Sequence, residues 1–442
     1  MTMNKFLCAI ALGCLFAACD RETIEVLPEE YQAGGATTVF GFFSDGFEQP
    51  CANLNEDEIR RHTDADGVFG STFVTAPAPV NAGLGPLFNQ SSCNSCHVRN
   101  GRAGFPSGSD LGGVLLRLSI DGLGTHGEPL DVPSFGGQLQ QKAIFGTTPE
   151  ASVSWSFVEE MRQFADGQSI ALRRPVFHIE NPHAPLPASF MTSARIAPSV
   201  FGLGLLEAIP ATELLALEDE NDADGDGISG RANRVWDVLA QQTRIGRFGW
   251  KAGQPTVLQQ TAAAYANDMG VTNPIFVPEN ETPDIDLETV ILGAFYTQSL
   301  AVPAPRDLEN TDVAAGKVLF NKIGCQKCHV AKHQTAAAEF SFLADQTIFP
   351  YTDLLLHDMG NGLADNRPEF EATGKEWRTP PLWGIGLTRL VNQHTELIHD
   401  GRARNITEAI EWHDGEANGS RTKFEALTAT ERAQLVRFIE AL

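Results

Sequence analysis

The sequence predicts a mainly α-helical protein built from two related halves, the first of which carries a β-containing insertion. Two observations support the two halves. The pentapeptide C-x-x-C-H occurs at residues 93–97 and again at residues 325–329. A second motif also recurs, because residues 195–205 resemble residues 378–387 and each copy follows one pentapeptide. Internal repetition of this kind indicates two similar structural units.

The C-x-x-C-H motif is the attachment signature of a c-type haem. The two thiols bind the vinyl groups of the porphyrin, and the histidine ligates the iron. The residues predicted to hold two covalently bound haem c groups are Cys93, Cys96, His97, Cys325, Cys328 and His329. A structural zinc site is the alternative use of two C-x-x-C pairs. The pairs lie far apart and each carries its own histidine, which favours two haems and hence two cytochrome-c-like domains.

The N-terminus predicts export. Residues 1–18 are typical of a signal peptide, because Lys5 precedes an apolar stretch that is too short to cross a bilayer. This stretch ends in Leu-Phe-Ala-Ala-Cys, which resembles a bacterial lipobox and predicts lipidation of Cys19. Residues 19–52 would then be a lipid-attached tether that holds the protein to a membrane on the periplasmic side of the cell envelope. An ordinary secretory signal cleaved nearby is the alternative.

The N-terminal haem c domain is assigned to residues 53–302. Its first helix is expected to begin after Asn55, which can cap it, with acidic residues in the first turn. After the first C-x-x-C-H the chain becomes glycine-rich, and residues 114–120 and 171–179 are typical of strands. These stretches predict the β-containing insertion. A helical run is expected at residues 256–268.

The C-terminal cytochrome c domain is assigned to residues 306–442, after a linker marked by Pro303 and Pro305. Asp312 is expected to cap the helix that leads into the second C-x-x-C-H. The chain closes with an amphipathic helix at residues 428–442, which we expect to pack across that helix.

A candidate calcium site lies between the two haem motifs. Asp222, Asp224 and Asp226 hold the first, third and fifth positions of a loop with glycine at the sixth, as in an EF-hand. The twelfth position is Asn233 instead of the usual glutamate. A solvated acidic turn is the alternative to a bound calcium ion.

The composition limits the partners. A formal net charge of -24 argues against nucleic acid, because no basic patch is available to meet phosphates. This charge is compatible with a redox partner protein or a small electron donor. Cys51 is the cysteine left over by the signal peptide, the lipidation site and the haem motifs, and we expect it to be buried and unreactive.

The motifs together resemble those of the bacterial di-haem oxidoreductase family, which is related to di-haem cytochrome c peroxidases. The resemblance covers about residues 53–442. The motifs that carry it stand at residues 93–97, 231–233, 246–252, 268–270, 325–329, 357–360, 378–387, 399–403 and 413. They are specific for the family and not for a substrate.

The resemblance implies roles for three residues around the first haem. Trp250 is similar in place to a tryptophan that helps electrons cross between the haems, and Gln260 follows it as a glutamine does in the peroxidases. Asp268 stands before Met-Gly, where the peroxidases have a glutamate. It is therefore expected on the distal side of the first haem as the acid–base group for peroxide.

For the second haem the resemblance implies an axial ligand near the end of residues 409–413. His413 stands where the peroxidases have a methionine. Ligation by two histidines would give a lower reduction potential than ligation by histidine and methionine. Met359 is the competing ligand.

These inferences predict an enzyme that passes electrons from a donor through the C-terminal haem to the N-terminal haem, where peroxide is reduced. Two alternatives stay open. One is a di-haem electron-transfer cytochrome without peroxidase activity. The other is a peroxide-dependent oxidant of a partner protein or thiol.

Overall fold

The computed structural model describes residues 26–41, 43–108 and 110–442. Helices make up 30% and strands 20% of the structure, and the strands form many small sheets. The prediction of a mainly α fold, with strands confined to one insertion, is therefore wrong. The long stretches between the helices lack the 3.6-residue apolar period of a helix. They form short antiparallel strand pairs and turns throughout the chain instead.

The longer α-helices lie on either side of the two C-x-x-C-H motifs. The α-helices are α1 (Glu56–Phe69), α2 (Cys93–Cys96), α3 (Leu203–Ala208), α4 (Ala211–Leu215), α5 (Val257–Met269), α6 (Leu287–Gln298), α7 (Thr311–Ile323), α8 (Gly360–Leu363), α9 (Thr388–Asn392), α10 (Ile406–Trp412), α11 (Asn418–Glu425) and α12 (Ala429–Ala441).

The strands form one three-stranded sheet of order β3-β2-β7 and several two-stranded sheets, namely β1-β4, β5-β6, β8-β9, β10-β11 and β12-β13. All of these pairs are antiparallel. The strands are β1 (Leu87–Phe88), β2 (Val114–Leu123), β3 (Pro129–Leu130), β4 (Lys142–Ala143), β5 (Ser152–Gln163), β6 (Ser169–Glu180), β7 (Met191–Ile196), β8 (Arg234–Asp237), β9 (Gln242–Ile245), β10 (His333–Gln334), β11 (Thr347–Ile348), β12 (Leu356–Asp358) and β13 (Glu376–Arg378).

The strands predicted after the first C-x-x-C-H are confirmed as β2 and β6. In β2, alternate side chains are buried, with Val114, Leu116 and Leu118 all at most 1% exposed. This period of two is that of a strand with one face on the core. β2 pairs with β7 from Val114↔Ile196 to Ser119↔Met191. β7 thus leads directly into the first copy of the repeated motif.

The helix that precedes the first C-x-x-C-H begins as predicted. The Asn55 side chain accepts hydrogen bonds from the backbone amides of Asp57 and Glu58, both at 3.0 Å, which confirms it as the N-cap of α1. α1 ends on Phe69, whose ring lies 4.8 Å from that of Tyr296 in α6. The same Phe69 ring lies beside the imidazole of the first haem motif, so the α1–α6 pair supports that motif from one side.

The helix that precedes the second C-x-x-C-H is capped by Asn310 and not, as predicted, by Asp312, which lies in the first turn of α7. The predicted packing of the C-terminal helix is confirmed. The rings of Phe320 in α7 and Phe438 in α12 lie 5.3 Å apart. A Cβ atom at Gly316 would lie 2.0 Å from the Gln434 carbonyl oxygen, so only glycine allows this close crossing.

Part of the segment predicted as a tether packs onto the rest of the protein. Phe47 and Cys51 are 0% and 3% exposed, and Pro50 pairs with Leu300 in an isolated bridge. The predicted burial of Cys51 is confirmed, and this burial raises the pKa of its thiol to about 12. The predicted signal peptide and Cys19 lie outside the described residues. Within those residues, no helix combines the length and the apolar character that crossing a membrane requires.

Candidate active site

The first candidate haem cavity has a volume of 240 Å³ and is lined by the first C-x-x-C-H motif. Ser92 caps the short helix that carries Cys93 and Cys96, by accepting a hydrogen bond from a backbone amide at 3.2 Å. The His97 ring donates from Nδ1 to the Pro198 carbonyl at 2.8 Å. This bond fixes the tautomer that leaves Nε2 able to ligate a metal.

Burial sets the protonation states of the side chains in this motif. Burial lowers the pKa of His97 to about 4, so the imidazole is neutral at physiological pH and can act as a ligand. Burial also raises the pKa of Cys93 to about 12. Both groups therefore enter the cavity uncharged.

Gln260 and Asp268 project from α5 and line the same cavity. The Asp268 carboxylate accepts a hydrogen bond from Gln138 Nε2 at 2.9 Å. The side-chain carbonyl of Gln138 in turn accepts one from Arg117 Nη1 at 2.9 Å. Burial raises the pKa of Asp268, against the opposing effects of the Gln138 bond and the Arg117 charge. Asp268 therefore keeps its proton to a higher pH than an exposed aspartate does.

The second candidate haem cavity has a volume of 170 Å³ and is lined by the second C-x-x-C-H motif. His329 donates from Nδ1 to the Tyr351 carbonyl at 3.0 Å, and His413 donates from Nδ1 to the Ala409 carbonyl at 2.6 Å. The two imidazole centroids are 6.5 Å apart. Because a metal–nitrogen bond is about 2 Å long, two imidazoles on opposite sides of one ion have centroids about 6 Å apart. The pair therefore fits one ion ligated by both Nε2 atoms.

Other candidate ligands also line the second cavity, among them Met359 and His357. His357 uses both ring nitrogens elsewhere, because Nδ1 binds Glu416 at 2.7 Å and Nε2 binds Asp353 at 2.9 Å. Burial lowers the pKa of His357, but the Asp353 carboxylate outweighs it and holds that pKa well above its usual value. His357 is thus committed to other partners, whereas the ring of His413 lies 6.5 Å from that of His329 and is the candidate second ligand.

Trp250 lines both cavities. Its indole Nε1 donates to the Ile196 carbonyl at 2.8 Å, and its own carbonyl accepts from the Arg378 amide at 2.9 Å. Ile196 and Arg378 belong to the two copies of the repeated motif, residues 195–205 and 378–387. Each copy therefore contributes one hydrogen bond that fixes Trp250 between the two cavities.

Arg102 lies beside this tryptophan and also lines both cavities. Its guanidinium carbon is 5.4 Å from the centroid of the Trp250 ring. Arg102 Nη1 is buried without a hydrogen-bond partner among the described residues, and burial lowers the pKa of Arg102 to about 10. A porphyrin carries two propionate carboxylates, which are the acceptors that such a guanidinium needs. The orphaned guanidinium, the two pairs of thiols and the available Nε2 atoms together fit two haems.

The acidic loop predicted to bind calcium contacts the second haem motif. Its Asp226 is engaged in an ion pair with Lys327. The predicted Asn233 is buried, and its side-chain amide donates to two backbone carbonyls at 2.7 and 3.0 Å in the interior. The carboxylates whose oxygens lie within 4.8 Å of one another are those of Asp219, Asp222 and Asp224.

Several residues of these sites carry no signal in the sequence. Gln138 contacts Asp268, and Arg117 contacts Gln138, only because the β2 region folds onto α5. Arg102 follows the first C-x-x-C-H closely, but that position alone does not show that it faces both cavities. Asp219 could have been noticed as one more acidic residue just before the acidic loop.

A protein-family model described as "Di-haem oxidoreductase, putative peroxidase" matches the sequence over residues 29–292 and 287–442. The search of curated proteins and the search of solved structures gave no match. The family description implies two haems as cofactors, which agrees with two cavities that are each lined by a C-x-x-C-H motif. The family match spans nearly the whole length of the sequence, and the chain therefore belongs to the di-haem oxidoreductase family.

Proposed function

We propose that this protein is a di-haem c-type oxidoreductase that reduces peroxide in the first cavity with electrons that arrive through the second. The observation that carries this proposal is the difference between the two cavities. In the second, His413 lies opposite His329. Among the described residues that line the first, His97 is the one histidine, and Asp268 adds a carboxyl with a raised pKa.

Each cavity has the side chains that would hold its cofactor. Cys93 and Cys96 would form the thioether bonds in the first cavity, where His97 would ligate the iron. Cys325 and Cys328 would do the same in the second cavity, which His329 and His413 complete. When bound, the two haems supply one-electron redox chemistry.

The proton chemistry falls to Asp268. Reduction of hydrogen peroxide to two waters consumes two electrons and two protons. The Asp268 carboxyl group would pass a proton from one peroxide oxygen to the other as the O–O bond breaks, so that one oxygen leaves as water. The other oxygen would become the second water by taking the two electrons that arrive through the second cavity and two protons from solvent. Gln138, itself held by Arg117, would keep the carboxylate oriented toward the cavity. Gln260 lines the same space and would contribute a hydrogen bond to the reactant.

Electrons would travel from the second cavity to the first by way of Trp250. His329 and His413 would together hold the iron of the second haem, and the chemistry that this site would supply is exchange of electrons. Trp250 is the indole that lines both cavities, and its two hydrogen bonds hold it still. The net charge of -24 supports a basic or neutral redox partner protein or a small donor.

The test is the rate at which the reduced protein reacts with hydrogen peroxide. Asp268→Asn keeps a similar shape but cannot carry the proton, so we expect the rate to fall by roughly 10²–10⁴-fold while both haem spectra stay unchanged. Asp64→Asn, an exposed site on α1, is the matched control. An unchanged rate in Asp268→Asn would remove Asp268 from the mechanism. A wild-type protein inert to peroxide would favour the electron-transfer cytochrome, and oxidation of thiols without turnover of small donors would favour the partner oxidant.

We also propose that the chain is exported and anchored to a membrane through a lipid on Cys19, with both haems on the periplasmic side. The lipobox-like sequence and the C-x-x-C-H motifs support this, because haem c is attached outside the cytoplasmic membrane. Cys19→Ser should move the protein from the membrane fraction to the soluble fraction. An unchanged distribution would contradict the anchor.

A calcium ion is proposed at Asp219, Asp222 and Asp224, whose carboxylate oxygens lie within 4.8 Å of one another. Since the same loop pairs with Lys327, loss of the ion should shift the potential of the second haem. Calorimetric titration of the chelator-treated protein with calcium tests the site. Absence of binding at millimolar calcium would contradict it.

A further inference from the structure

An open cleft of 670 Å³, separate from both candidate haem cavities, lies next to the first of them. Its floor is formed by α3 and the start of α5. Its rim is formed by the turn that joins β8 to β9 and by residues 336–343. The lining is mixed, with an Asp237–Arg244 ion pair at 3.3 Å on the rim.

The wall between the cleft and the cavity is one layer of chain thick. In three segments, neighbouring residues face opposite sides, the first toward the cavity and the second toward the cleft. These neighbours are Leu206 and Glu207 in α3, Val257 and Leu258 in α5, and Thr297 and Gln298 in α6.

The backbone segments of this wall cannot separate easily. A Cβ atom at Gly204 would lie 2.4 Å from the carbonyl oxygen of Gln298, so α3 and α6 are in close contact. The partly buried Glu207 carboxylate accepts hydrogen bonds from the Val257 amide at 2.8 Å and from Gln298 Nε2 at 2.6 Å. One carboxylate thus ties the three segments together.

Arg247 is the residue of the described chain that lines both the cavity and the cleft. It is 8% exposed, and its Nη1 donates to the Leu206 carbonyl at 2.9 Å. The Glu207 carboxylate attracts the Arg247 guanidinium through its charge, but its hydrogen bonds go to its two other partners. Rotation of the Arg247 side chain therefore breaks a hydrogen bond to a carbonyl and leaves the tied backbone in place.

We propose that the cleft is the route by which small uncharged reactants, hydrogen peroxide among them, reach the first cavity, and that the Arg247 side chain closes its inner end. This inference rests on the proposed function. The one-layer wall limits the reactant to a few atoms. Arg247 and Glu207 flank the passage with opposite charges, so an anion would be retained by the guanidinium and a cation by the carboxylate, whereas a neutral molecule passes.

Carbon monoxide is a suitable probe, because it is small and uncharged and binds ferrous haem that has a free coordination position. Flash photolysis of the complex with the fully reduced holoprotein gives the association rate constant, and ligand replacement gives the dissociation rate constant. In Arg247→Ala we expect both rate constants to rise by the same factor, about two- to tenfold, which is the factor set by one hydrogen bond. The equilibrium affinity and the spectrum should stay unchanged, since a barrier affects both directions equally.

Arg244→Ala is the matched control, because this arginine lies on the cleft but does not line the cavity, and it should leave both rate constants unchanged. Ala337→Trp, which fills the exposed side of the cleft, should lower both rate constants. This variant tests the route if Arg247→Ala does not fold. Unchanged rate constants in Arg247→Ala or in Ala337→Trp would overturn the route, as would a change in affinity alone. A wild-type protein that binds no carbon monoxide would instead refute the proposed function, and the route with it.

Discussion

Replacement of His413 by alanine should convert the second haem from low spin to high spin. The imidazole centroids of His329 and His413 are 6.5 Å apart, which fits one ion between them. Removal of one ring leaves that ion with a single strong protein ligand on its axis. The change should therefore affect one of the two haems completely and the other not at all. The variant also loses the hydrogen bond to the Ala409 carbonyl, which costs about 1 kcal/mol.

Visible absorption and electron paramagnetic resonance spectra of the oxidised variant measure this change. Added imidazole should occupy the vacated space and restore the low-spin signal. His126→Ala is the control, because His126 stacks on Trp236 away from both cavities. A low-spin second haem in His413→Ala would refute the assignment, and loss of the signal in Met359→Ala would then transfer the role to that methionine.

Three further predictions concern Trp250, Arg102 and Glu411. Trp250→Phe should slow electron transfer between the haems, measured by pulse radiolysis, while both haem spectra are retained; an unchanged rate would exclude the indole from the path. Arg102→Met should lower the haem potentials by tens of millivolts in a redox titration, because a buried positive charge favours the reduced form. Glu411 is 0% exposed and burial raises its pKa to about 7, so the folded state loses stability as pH rises from 4.5 to 7. Glu411→Gln should therefore stabilise the protein by about 1–2 kcal/mol at pH 8 and hardly at pH 4.5, as measured by thermal unfolding; equal effects at both pH values would contradict the raised pKa.

Local signals were sufficient for the helices around the haem motifs. Asn55 and the acidic turn after it specify the start of α1 without help from the rest of the chain, and the apolar stripe of α12 specifies the face that packs on α7. The cap of α7 was misplaced by two residues, because Asn310 and Asp312 are both good caps and the backbone selects between them.

The strands and the polar contacts of the sites could not be predicted from local signals in the sequence. A two-residue strand such as β1 has no period to detect, and it exists because β4 returns to pair with it. The mainly α prediction failed for this reason. The contact between Gln138 and Asp268 joins residues far apart in the sequence. Trp250 was identified through the resemblance, but its support by both copies of the repeat became visible only in the fold.

The proposed function requires two haems in unlike cavities of one chain. The electron paramagnetic resonance spectrum of the mature, fully oxidised protein tests this directly. We expect one high-spin ferric signal from the cavity of His97 and one low-spin signal from the cavity of His329 and His413, in equal amounts. Two low-spin signals, or a protein without covalently bound haem, would contradict it.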